Sequence, residues 1–291
     1  MFSGSIPALV TPFCDGAFSE RHFRDLIDWQ IDQGSSALVP AGTTGEASTL
    51  SNAEHHRVIE ICIEQAAGRV PVIAGCGSND TTNAILHLNF SKKSGAAAGL
   101  VVAPYYNRPN QEGIYAHFER MTEKSDLPIV LYNVPARTVT DIEPETVARL
   151  AKLATVIGIK DASGDLPRVT EHRLSCGTDF CLLSGNDEQS LAFNASGGVG
   201  CISVTANVAP KLCAEFQAAC TAGDFKLACE LNDKLYPLHK ALFSDASPGP
   251  IKYAMSRVIE GFPTELRLPM TPPSQASRAQ VDAALENAGL I

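Results

Sequence analysis

Two stretches, PIVLYNVP at residues 128–135 and VIGIKDAS at residues 156–163, decide the fold of this 291-residue chain. Each is nearly continuous in apolar residues instead of alternating apolar with polar. That is the pattern of a parallel strand covered on both faces. Working outward, six further runs of the same kind appear: IPALV (6–10), SALVPAG (36–42), PVIAGCG (71–77), GLVVAPY (99–105), FCLLSGND (180–187) and GCISVT (200–205). Helical patterns separate them. Ser51 followed by Glu54 fits a capping box ahead of HHRVIEICIEQAA, with Gly68 as a left-handed stop, and Asp80 caps TTNAILHLNFSKKS, which ends at Gly95. Eight βα units in series predict a closed (β/α)8 TIM barrel over an open doubly wound sheet, because eight is the strand count at which side chains just fill the interior.

After Thr205 no strand pattern returns. PKLCAEFQAAC, DFKLACELNDKLYPLHKALF, PIKYAMSRVI and SRAQVDAALENAG read as helices punctuated by Gly or Pro. The first completes the barrel. The expected division is a catalytic barrel over residues 1–222 and a C-terminal helical domain over 223–291, with no Gly/Ser-rich linker between them.

Composition bounds the function. A chain 45% hydrophobic and 19% charged has apolar side chains enough for a sizeable core. With a net charge of −9 and no Lys/Arg-rich run, it offers no basic surface to neutralise phosphates, so nucleic acid is not an expected partner. The nine cysteines are odd in number, lie mostly in apolar segments and include no CxxC pair, which reads as reduced thiols in a cytoplasmic protein. The opening MFSGSIPALVTPF lacks a basic region and a full apolar region, and no stretch approaches the ~20 apolar residues needed to span a bilayer, so neither export nor membrane insertion is expected. With no HExxH, no paired Cys/His cluster and no GxGxxG fingerprint, no metal and no nucleotide cofactor is expected.

Barrel enzymes draw catalytic side chains from the carboxyl ends of the strands and the loops beyond them. Lys160 closes VIGIK with apolar residues before it. A lysine there is either salt-bridged or reaching solvent, or a buried amine with a chemical task. Desolvation favours the neutral amine, a neutral amine attacks ketones, and the imine of a 2-keto acid is an electron sink that lets the adjacent methyl lose a proton. Tyr132 ends the preceding run and is either a core tyrosine or the proton shuttle such chemistry needs. GTTGE (42–46) is a tight loop whose backbone N–H groups and Thr43 and Thr44 hydroxyls suit a carboxylate, though Gly and Thr are also ordinary turn formers.

Taken together, GTTGE, APYYNRP, YNVPART, GIKDASGDL and LLSGND, in this order and spacing, resemble the dihydrodipicolinate synthase branch of the class I pyruvate-dependent aldolases. The resemblance spans essentially the whole chain. It implies a barrel with a C-terminal helical domain, assembled as a homotetramer of two tight dimers. It also implies a covalent pyruvate imine on Lys160 with no separate cofactor. Tyr132, Thr44 and Tyr106 match a hydroxyl relay whose last ring is lent by the adjoining subunit. Thr43 and Thr44 match the pyruvate carboxylate loop, Gly185 and the Ile202 carbonyl match the lining of the same pocket, and Arg137 matches an entrance arginine for the carboxylate of aspartate semialdehyde. A permanently charged planar fork suits that carboxylate better than a polyol. The branch often has Gly two residues after this arginine, where Val139 stands here.

Residues matching the family's lysine-effector site are Ala47, Ser48, Asn52, His55, Asn79, Asn83 and Tyr105. Two depart from the inhibited pattern, which has His at 52 and Glu at 83. Replacing a carboxylate by an amide weakens the hold on an effector ammonium, which predicts inhibition only at high lysine or none. Sister branches of the superfamily cleave sialic acid or 2-keto-3-deoxy sugar acids with the same lysine and tyrosine, and a keto-acid sensor without turnover is a third reading. A sensor has no need of the relay.

Overall fold

The computed structural model describes residues 2–291. Seven parallel strands form one curled sheet: β1 (Gly4–Pro7), β4 (Ile73–Gly75), β5 (Ala98–Val102), β6 (Ile129–Asn133), β7 (Val156–Asp161), β8 (Cys181–Ser184) and β9 (Gly200–Ser203), in the order β1-β9-β8-β7-β6-β5-β4. The eighth expected strand, within residues 36–42, closes the ring between β1 and β4 through two isolated bridges, Ala8 to Val39 and Leu38 to Val72. Its ladder is broken because Pro40 has no N–H to donate and fixes its own backbone. The hydrogen bonds on either side persist: Leu9 donates to the Val39 carbonyl at 2.9 Å, and Ile73 donates to the Leu38 carbonyl at 2.9 Å.

The strands are apolar on both faces because both faces are covered. Val130, Tyr132 and Val134 of one parity join Ile6, Val39 and Leu183 in the cluster that fills the barrel. Ile129 and Leu131 of the other parity pack outward against the helices. By the same alternation Lys160 points into the barrel at the carboxyl end of β7.

The helices start and stop largely where the punctuation predicts. In α2 (Asn52–Ala66) Ser51 and Glu54 form the reciprocal capping box, and in α3 (Thr81–Ser94) Asp80 accepts from the Thr82 N–H while Gly95 takes the left-handed cap. The cap of α2 differs from expectation: Ala67 already adopts φ 48°, and Gly68 follows at φ 75°. One motif was legible but unread. Asp15 and Gly16, at φ 52° and 78°, turn an antiparallel hairpin of β2 (Phe13–Cys14) and β3 (Ala17–Phe18), the Asp-Gly signature of a two-residue hairpin loop.

The chain then continues as helices α9 (Pro210–Ala222), α10 (Phe225–Ala241), α11 (Gly249–Val258) and α12 (Gln275–Ala288). Gly223 closes α9 in the left-handed conformation. α10 packs on α9 and α12, and its buried residues belong to the same apolar cluster as the barrel's outer face. Polar ties bind this region to the GTTGE loop. The Lys252 ammonium of α11 lies 2.5 Å from Glu46, the Arg267 N–H donates to Glu46 at 3.0 Å, and the Arg267 guanidinium grips Glu54. Among the described residues no helix is long and apolar enough to cross a membrane.

Candidate active site

A cavity of about 500 Å³ opens at the carboxyl ends of the strands. Lys160 and Tyr132 face each other in its floor. They are register partners across β6 and β7, so the ladder alone brings them together. The Lys160 amine sits 4.2 Å from the centre of the Tyr132 ring, and the lysine is only 6% exposed. Gly185 follows β8 beside them. A Cβ there would meet the Ala162 methyl at 2.7 Å and the Lys160 Cε at 3.1 Å, so the close approach of this loop to the lysine requires glycine. The loop is fixed by the Gly185 N–H donating to the Asp161 carbonyl at 2.7 Å.

Thr43 and Thr44 line the opposite wall, with Thr44 buried and Thr43 exposed. The loop's shape rests on Glu46, which holds φ 56° without being glycine. Its carboxylate is clamped by Lys252 and Arg267, contacts that compensate for a costly backbone conformation.

Arg137 reaches the cavity mouth from α5 (Pro135–Thr138) and is exposed. Pro135 starts this short helix, and Val139 ends it at φ 54°. The substitution flagged in the sequence therefore falls on a left-handed position where a β-branched side chain is strained. The segment is held from below. Asn133 donates to Asp141 at 2.8 Å, and Arg168 grips the same carboxylate with two bonds of 2.8 and 2.7 Å.

Behind Lys160, Asp161 accepts from the Ser163 N–H at 2.7 Å and lies 3.6 Å from His172 on α7 (Pro167–Cys176). Burial opposes charge on His172, but the neighbouring carboxylate and Cys176 outweigh it and raise its pKa to about 9.

Of the residues matched to the effector site, Ala47, Ser48, Asn52, His55, Asn83 and Tyr105 line this same cavity. Three expected site residues do not. The Ile202 side chain is buried in the apolar filling of the barrel, as a residue matched through its carbonyl can be, and Val204 further along that strand end lines the cavity. Asn79 lies just outside, its carbonyl accepting from Asn107 at 2.9 Å. Tyr106 is 91% exposed at φ 70° and contributes nothing to its own chain's cavity.

Further residues complete the cavity. Phe243 and Ser247 line the cavity from beyond α10, and nothing in their local sequence marks them. Asn186, inside the LLSGND motif, does too. The absence of a Cys/His cluster holds only along the chain, since the fold brings His55, His56 and His87 together. Burial pushes the pKa of His55 down to about 3 and that of His87 to about 4. All nine cysteines are free, with five buried but Cys229 exposed.

A family model described as the dihydrodipicolinate synthetase family matches residues 1–288. This chain belongs to that family. A 4-hydroxy-tetrahydrodipicolinate synthase of Novosphingobium aromaticivorans is 72% identical, the match covering 100% of this chain and 99% of the relative. Among solved structures, the chloride-inhibited dihydrodipicolinate synthase of Acinetobacter baumannii, complexed with pyruvate, is 42% identical with a TM-score of 0.97 and full coverage of both chains. The Cyanidioschyzon merolae enzyme with lysine bound is 34% identical with a TM-score of 0.96, over 100% of this chain and 99% of that one. The (β/α)8 barrel with its helical C-terminal region is thus the architecture of an established lyase family.

Proposed function

We propose that this chain is a 4-hydroxy-tetrahydrodipicolinate synthase, a lyase that condenses pyruvate with aspartate semialdehyde in the route to diaminopimelate and lysine. The observation that carries the reading is the Lys160 amine, buried at the cavity floor against the Tyr132 ring with room beside it for a small keto acid. The amine adds to the pyruvate ketone and water leaves, giving a protonated imine. Loss of a methyl proton yields an enamine whose carbon attacks the aldehyde, forming the new C–C bond. Tyr132 and Thr44 carry protons between these steps, the Thr43–Thr44 loop and Gly185 hold the pyruvate carboxylate, and Arg137 receives that of the semialdehyde.

The exposed Tyr106 supports a relay completed by an adjoining subunit, and hence a homotetramer in which activity depends on assembly. In that assembly the helices after Gly223 form the second domain. Free thiols and the biosynthetic reaction fit a cytoplasmic location. Ala47, Ser48, Asn52, His55, Asn79, Asn83 and Tyr105 are proposed as a weakened lysine-effector site.

Trapping tests the central claim. Borohydride added with pyruvate should link the three-carbon skeleton irreversibly to Lys160, as read by peptide mass spectrometry, and enzyme pre-incubated with pyruvate should then turn over aspartate semialdehyde in preference to sugar aldehydes. A label on another lysine would overturn the mechanism. Trapping at Lys160 with preference for a sugar aldehyde would overturn the substrate alone.

A further inference from the structure

Two histidines of the cavity wall, His55 and His87, and a third packed beside them, His56, have no task in the chemistry at Lys160. His55 and His56 come from α2 and His87 from α3, and each offers a ring nitrogen within 4.8 Å of the others. His56 Nε2 and His87 Nδ1 are 3.2 Å apart and share a ring N–H as a hydrogen bond, a proton that a metal would replace, and the His55 and His87 rings lie 4.1 Å apart between centres. A tetrahedral zinc ion with Zn–N bonds of about 2.0–2.1 Å spaces its nitrogens by about 3.3 Å. The closest pair already stands at that spacing.

The surroundings hold the rings as ligands are held. His56 is stacked on Phe90, with ring centres 3.7 Å apart and planes 4° apart. The other nitrogen of His87 lies 3.2 Å from the Asn83 amide, which can turn over and accept a ring N–H once Nδ1 carries a metal. His55 is only 5% exposed, and its Nδ1 is buried with no hydrogen-bond partner, so the ring carries an unsatisfied polar atom in the interior. All three rings are held toward the neutral form by burial, which leaves lone pairs free. No carboxylate or thiolate belongs to the cluster. An all-imidazole set favours borderline ions over calcium or magnesium.

We propose that His55, His56 and His87 bind a divalent transition-metal ion, of which zinc is the best chemical match. His55 and His87 line the cavity and His56 does not, so the fourth coordination position is left to a water or small anion from the cavity. The inference does not depend on the reaction at Lys160 and is tested without substrate.

The full-length chain is stripped with a chelator and titrated with cobalt(II) as a spectroscopic probe. The expected result is saturation at one ion per chain, visible bands of a four- or five-coordinate nitrogen and oxygen set, no thiolate charge-transfer band, and displacement by zinc. His56→Phe keeps a ring on Phe90 but removes a ligand. It should weaken binding by more than about 100-fold, since losing even an outer-shell partner costs roughly 10- to 100-fold. His87→Gln should do the same, with circular dichroism checking the fold of both. Absence of saturable binding, a thiolate band, or unchanged affinity in folded His56→Phe would each overturn the site.

Discussion

The molecule buries two lysines, and they are buried for opposite reasons. Lys252, on α11, is fully enclosed with its ammonium 2.5 Å from Glu46 and donating to the Glu265 carbonyl at 2.7 Å. Burial lowers its pKa, and Glu46 opposes that shift. Lys160 is nearly as buried but faces an aromatic ring and an open cavity. Burial alone therefore does not mark a nucleophile. The carboxylate partner separates a charge that fastens two parts of the fold from an amine left available for reaction.

Replacing each lysine by an isosteric apolar residue should split the two roles. Lys160→Met should lower turnover by on the order of 10⁴-fold or more, because no other lysine lines the cavity. Its thermal stability should stay level or rise, since an amine is exchanged for an apolar chain at a desolvated position. A large fall in melting temperature would break the comparison by showing that Lys160 is structural. Lys252→Met should do the reverse and cost about 3–5 kcal/mol in denaturant unfolding, because the buried Glu46 carboxylate loses its ammonium partner and keeps only the Arg267 N–H. The folded fraction should still form the borohydride-trapped pyruvate adduct on Lys160. Loss of that adduct without loss of stability would assign Lys252 to the chemistry.

The sequence made one lysine far more legible than the other. Lys160 and Tyr132 end consecutive apolar runs, and strand parity and parallel register suffice to place both inside the barrel and side by side. Lys252 sits in a helix whose local pattern gives no sign of its partner, because Glu46 lies at the other end of the chain. The histidine cluster was hidden in the same way, by a packing of α2 against α3 that spacing along the chain does not encode. The second strand was read as a regular one because its apolar composition outweighed Pro40. The backbone donor that Pro40 lacks explains why only bridges form there.

The smallest expected effect sharpens the comparison from the side of the fastening charges. Arg267 joins the same tie as Lys252 but grips Glu54, with one bond of 2.9 Å and an oppositely charged contact of 2.5 Å. That hydrogen bond holds the Glu54 pKa down at about 2, against partial desolvation, with further help from Ser51. A carboxyl whose folded pKa lies below its unfolded value of about 4.3 contributes stability that is complete above that unfolded value and is lost as pH falls towards 2. Because the Glu54 side chain is 31% exposed, solvent screening reduces the contribution to about 1–2 kcal/mol. Glu54→Gln can keep the oxygen that accepts from Ser51 in the capping box, while it removes the charge and one of the two acceptors that Arg267 holds. It should be less stable than the parent by that amount at pH 7, and the two unfolding curves should converge as pH is lowered from about 4.3 to about 2. A deficit that stays constant across this range would mean that the ion pair contributes nothing and that the C-terminal helices are held on the barrel by Glu46 and apolar packing alone.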